Sequence, residues 1–244
     1  PTVAEGPHMI LAPYAIDKEG TLHLFRTVQV RTGEAVIDTP RGFAKTLEGG
    51  PQMYDVDNSS EEVNQNMRKI VGEESGNALK IKKVVYLGAP RVNTTFVTSR
   101  SAIFGVEVDY NAFVESQKMI TEEELQRRNE QFEHEGLVGA IVDIPLSEYV
   151  DYKRDSEIKK DMAADFGTDT VVIDFLMKGL EKDKRILSKL GQARRKFKAE
   201  NPVGYAQHMA TEAKYANPDR IDQIDASAQR YLSKLYQKAL KPDK

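Results

Sequence analysis

The chain carries no cysteine. Disulfides and thiolate-bound metals are therefore excluded, which fits a reducing compartment without proving one. Charge of one sign is also lacking: the formal net charge is −3, which argues against wholesale electrostatic binding to nucleic acid. No apolar run approaches the ~20 residues that span a bilayer. The first residues, PTVAEGPHMI, do not place a basic region before an apolar one, so neither a secretory signal nor a membrane partner is expected. There is no internal repeat and no low-complexity tract. GFAKTLEGG lacks the lysine and serine or threonine that end a phosphate-binding P-loop. His8, His23, His134 and His208 have no ligand-like spacing, and each is expected at the surface or in ordinary packing. Nothing suggests a Ser–His–Asp or Cys–His nucleophile.

What is present is the composition of a folded body: 40% hydrophobic and 30% charged over 244 residues, enough for one large domain or a domain with an extension. MILAPYAI (9–16) and LHLFRTVQVR (22–31) read as strands flanking DKEG, a turn. RTGEAVID adds a turn and a short strand, and TPRGFAKTLEGGP is punctuated by glycine and proline. A helix is expected to begin near Ser59 or Ser60, because Ser59 and Glu62 have capping-box spacing. Val63, Met67, Ile70, Val71 and Glu74 then form an apolar stripe that ends in an acid. KKVVYLG (82–88), SAIFGVEV (101–108) and LVGAIVDIPL (137–146) read as further strands. The charged stretch within 111–135 reads as an exposed, partly helical insertion. Thr168 or Asp169 is placed to cap a helix through VVIDFLMKGL.

After about residue 180 the composition shifts. Between Lys182 and Lys198 eight basic residues meet one acid, Asp183, while Ile186, Leu190, Ala193 and Phe197 recur at helical steps. Ile221, Ile224, Ala228, Tyr231 and Leu235 make a second stripe. The expected organisation is an α/β (α+β) domain over 1–180 and a helical C-terminal extension over 181–244. The apolar stripes of the extension need something to pack on, which suggests a homo-oligomer or an assembly partner. The basic run reads as a solvated helix face; with Phe197 its one aromatic, it is no platform for single-stranded nucleic acid.

Several segments, in order, resemble the Nudix hydrolase family, and within it the ADP-ribose pyrophosphatase branch. The family box is a glycine, five residues, a glutamate, seven residues, then R-E-U-x-E-E-x-G-U with U apolar. GFAKTLE, from Gly42 to Glu48, is similar to its first part, and Glu73-Glu74-Ser75-Gly76 to its last. QVRTGEAVIDTPRGF resembles the entry strand and loop of the branch, with Gln29, Arg31 and Pro40 in matching places. YLGAPRVNTTFVTS resembles the segment after the box, and VDIPLSEY and GTDTVVIDFL resemble the closing strand and last helix. The similarity spans about residues 9–179. It implies a mixed sheet sandwiched by helices. It also implies Mg²⁺ or Mn²⁺ held by Glu73, Glu74 and Glu48, with Glu73 and Glu74 as the catalytic acids. Arg31, Arg41 and Gly42 would lie toward a nucleotide-sugar substrate. Carboxylates one helical turn apart reach one metal, which neutralises phosphate charge and activates water.

The box is broken. Its R-E-U positions hold Lys69, Ile70 and Val71, so an isoleucine stands where the family has a glutamate. Asn66, a turn earlier, is a much poorer Mg²⁺ ligand. Residues 49–68 stand where the family spacer has seven. Glu48 reads equally as an outer ligand or a loop acid, and Arg31 as a phosphate contact or a strand end. Glu133 and Glu135 read better as members of an acidic segment than as a further catalytic acid. Two functions are carried: an impaired Mg²⁺-dependent pyrophosphohydrolase acting on ADP-ribose or a similar nucleoside-diphosphate sugar, and a non-catalytic binding or structural module. The setting is cytoplasmic, or a soluble assembly such as a viral particle.

Overall fold

A computed structural model describes residues 8–31, 34–43, 67–72, 79–88, 101–118, 123, 126, 137–146, 163–164 and 166–215. The organising element is β1 (His8–Ile16), whose sequence is almost wholly apolar. It runs parallel to β6 (Ser101–Val108), from His8 opposite Ser101 to Tyr14 opposite Glu107. A strand in such a position is covered on both faces, so continuous rather than alternating apolarity is what burial requires. The two faces of β1 enter different cores. Ile10, Ala12, Tyr14 and Ile16 pack with Val172, Leu176 and Leu180 of α2 (Phe166–Lys182) and with Ile186 and Leu190 of α3 (Lys184–Glu200). Met9, Leu11 and Ala15 pack with Met67, Ile70 and Val71 from the helical residues 67–72, and with Phe113 of α1 (Tyr110–Lys118). The result is a mixed sheet sandwiched between helices, an α+β architecture.

Among the described residues eight strands make the sheet: β2 (Leu22–Arg31), β3 (Glu34–Asp38), β4 (Arg41–Phe43), β5 (Ile81–Gly88), β7 (Leu137–Pro145) and β8 (Ala163–Ala164) join β1 and β6. Their order is β5-β6-β1-β2-β3-β8, with β4 also on β1 and β7 also on β2. One edge of β1 is shared by two antiparallel neighbours. His8–Ile10 pairs with β4, and Tyr14–Ile16 pairs with Leu22–Leu24 of β2. Pro13 lies between these pairings. The Leu11 N–H donates to the Pro40 carbonyl at 2.8 Å, and Pro13 has the same strand phase. Its missing donor therefore falls where β1 passes from one partner to the next and no ladder bond is needed.

The turn joining β1 to β2 is held by Asp17, whose Oδ1 accepts from the backbone N–H groups of Glu19 (2.9 Å) and Thr21 (2.8 Å). Gly20 has φ +79°, and an added Cβ would lie 2.5 Å from Arg194 Cγ, so both backbone and space demand glycine there.

Two expectations are revised by this packing. Residues 111–118, expected within an exposed insertion, form most of α1, which buries Phe113 against the sheet. The start of the C-terminal extension is not an appendage: α3 inserts Ile186 and Leu190 into the same core as β1. The one acid of the basic run caps it, Asp183 accepting from the Arg185 and Ile186 N–H groups. The capping box at Ser59 and the stripe over 221–235 lie outside the described residues.

Candidate functional site

Residues 67–72 are helical and lead to the acid pair of the box. Met67 (2% exposed), Ile70 (6%) and Val71 (1%) are buried, whereas Arg68 and Lys69 are exposed. Spacing of three and four residues puts the buried three on one helical face. Position 70, a carboxylate in the family box, is therefore part of the second core. Glu48, Glu73 and Glu74, with Asn66, Glu133 and Glu135, lie outside the described residues. Arg31 ends β2 opposite Glu34, while Arg41 and Gly42 lie in β4 opposite Ile10 and Met9. These three share the end of the sheet away from the β1–β2 turn.

The opposite end holds a charged cluster that spacing did not reveal. His23, 6% exposed, shares a strand face with Phe25. Its Nδ1 is 2.8 Å from Asp143 Oδ1 of β7, and its Nε2 is 3.2 Å from Asp17 Oδ2. The Tyr110 hydroxyl donates to Asp143 Oδ2 at 3.2 Å, and its ring lies 4.4 Å from the imidazole. Burial alone would make His23 harder to protonate, but hydrogen bonds and charge from Asp143 and Asp17 outweigh it, and its pKa is pushed up to about 9. Burial likewise opposes charge on Asp17, yet His23 and the backbone donors hold it below the usual carboxylate range. At neutral pH both ring nitrogens donate to carboxylates, so neither is left to ligate a metal or relay a proton. The cluster clamps the turn, β2, β7 and α1. Among the described residues no group of three or more His, Asp or Glu could hold a metal ion.

A second set of charges docks the C-terminal helices. Glu107 of β6, 1% exposed, accepts from Arg185 and, at 2.9 Å, from Lys189. Burial would raise its carboxyl, but these two cations hold it below the usual range. Arg194 of α3 is fully buried; its Nε donates to the Gly20 carbonyl at 2.9 Å and its guanidinium grips Glu212 of α4 (Pro202–Tyr215). The basic run is thus divided. Arg185, Lys189 and Arg194 are engaged within the fold, while Lys182, Lys184, Arg195, Lys196 and Lys198 lie on the exposed side. A cavity of about 240 Å³ opens between the turn and the end of α3, lined by Lys18, Glu19, Lys196, Phe197, Glu200 and Asn201. Its mixed charge selects no ligand.

Sequence carried one clue to each cluster. His23 and Asp143 are polar residues on core-facing strand positions, where a partner is obligatory. Arg194 follows Ile186 and Leu190 at steps of four on an apolar stripe. The distant partners, Asp143 lying 120 residues from His23, could not be read from local pattern.

No protein-family model matches the chain, and no curated protein matches it. Among solved structures it is similar to the crystal structure of a mutT/nudix family protein from Listeria innocua. Identity is 14%, over 61% of this chain and 83% of that one, with a TM-score of 0.32. A likeness of that size assigns no role to any residue. Among the described residues no helix is long and apolar enough to cross a membrane.

Proposed function

We propose that the chain is a Nudix-type domain in which Mg²⁺-dependent hydrolysis of ADP-ribose, or of a similar nucleoside-diphosphate sugar, is impaired or lost. Binding or assembly is then the work left to it. The observation that carries this reading is Ile70, which aligns in sequence with a carboxylate of the box but is buried in the core beside Met67 and Val71. Mg²⁺ demands near-octahedral oxygen ligation, and its protein ligands are carboxylates. At position 70 there is neither an oxygen nor an opening to water. The exposed side of the same helical turn offers Arg68 and Lys69, cations that repel a divalent metal and attract phosphate.

Residual turnover would rest on Glu73 and Glu74 as ligands or base, with Glu48 as a third carboxylate and Mg²⁺ or Mn²⁺ as the ion. Arg31, Arg41 and Gly42 would then face the nucleotide. The order of the Nudix-like segments along the sequence and the mixed sheet between helices support the family reading. The assembly reading places a second copy or another protein on the outer faces of the C-terminal helices, where Lys184, Arg195 and Lys198 are exposed and Val203 is 67% exposed.

The test is thermal unfolding with Mg²⁺ and ADP-ribose together, because a ligand that binds only the native state raises stability by mass action. The expected result is no metal-dependent rise in Tm. A rise that requires Mg²⁺ and disappears in Glu74→Gln would overturn the reading.

A further inference from the structure

The two C-terminal helices are held on the body by different means. α3 is anchored by buried apolar side chains, Ile186 and Leu190, and by the ion pairs of Arg185 and Lys189 with Glu107. None of the described side chains of α4 enters either core. α4 is held by polar and edge contacts. Arg194 Nη1 donates to Glu212 Oε2 at 3.0 Å and lies 3.8 Å from Met209 Sδ. His208 Nε2 is 3.2 Å from Glu212 Oε1 and 3.5 Å from Thr21 Oγ1. The Phe197 ring lies 6.0 Å from both Tyr205 and His208. Between the helices Asn201 ends one and starts the next: its N–H bonds to the Phe197 carbonyl, and its Oδ1 accepts from the Gly204 N–H at 2.9 Å. One residue therefore caps both helices, α3 through its backbone N–H and α4 through its side chain.

We propose that α4 is a latch, closed by the Arg194–Glu212 pair, that swings off the body about Asn201 as a unit while both cores stay folded. The electrostatics favour such a device. With α4 closed, Arg194 is fully buried and needs Glu212 as its counter-charge. With α4 open, water reaches both groups, so the pair is broken without leaving a buried charge. Opening removes no described α4 side chain from either core, which leaves α4 at the low-stability end of the molecule. Opening bares Arg194 and the Phe197 ring beside the cavity between the turn and α3.

Amide hydrogen exchange on the full chain tests this. In Glu212→Gln the closed state loses the carboxylate paired with the buried guanidinium, whereas the open state is unaffected. Exchange across residues 202–215 should then rise roughly tenfold or more, with β1 and β6 unchanged. Equal acceleration in α4 and in β1 would place α4 inside the global folding unit and overturn the proposal, as would unaltered exchange in α4. Should that variant not fold, exchange of the unmutated chain in low urea decides. A latch exchanges with little urea dependence while β1 follows global unfolding; a shared, steep dependence sinks it.

Discussion

At the scale of single residues, charge placed where water is scarce decides more than charge in total. His23 and Arg194 are both buried cations, each held by carboxylates from other elements. For His23 the sign of the pH dependence follows from its raised pKa. The folded protein holds the proton more tightly than the unfolded chain, so the stabilisation is fully present below the unfolded pKa near 6.5 and is lost as pH rises through about 9. Above that, a neutral imidazole has one N–H to offer two carboxylates, and either Asp17 or Asp143 loses its donor. Urea unfolding of the native chain and of His23→Gln between pH 6 and pH 10 should diverge, the native chain losing roughly 2–3 kcal/mol more over that span. Parallel curves would show that the cluster does not hold the proton.

At the scale of elements, legibility followed burial pattern. β1, β2 and β6 could be read because two-sided burial demands apolar runs, β5 and β7 from their β-branched residues, and the intervening turns need Asp, Gly and Pro. β8, two alanines beside β3, carried no periodic signal. α1 was hidden because Phe113 is its one buried residue among polar neighbours. The helical residues 67–72 are the sharpest case. Their stripe was evident from spacing, but spacing alone left open whether Ile70 lined a metal site or a core. Burial among Met67, Val71 and Phe113 answers that. Ile70→Glu would put a carboxylate into an apolar cluster and should cost about 3 kcal/mol or more. Arg68→Glu, on the exposed side of the same turn, should change stability by no more than about 0.5 kcal/mol. Chemical denaturation distinguishes them; equal, small effects would mean that Ile70 does not face the core.

At the scale of the whole molecule, the C-terminal extension changes meaning. Its composition suggested a segment waiting for an external partner, yet the first of its helices completes the core formed by β1 and α2. Helical period shows that a face is apolar without showing which surface receives it, and the receiving strand lies far off in sequence. For function, the sequence offered the order of box-like segments and an isoleucine at position 70, whereas the charged clusters at the other end of the sheet depend on tertiary contacts.

The decisive measurement is AMP release from ADP-ribose in the presence of Mg²⁺, with the native chain and Glu74→Gln assayed side by side. An impaired centre predicts little or no release above the enzyme-free control and no difference between the two proteins. Robust turnover by the native chain, abolished in Glu74→Gln, would contradict it and show that the acids near residue 74 assemble a working metal site without a carboxylate at position 70.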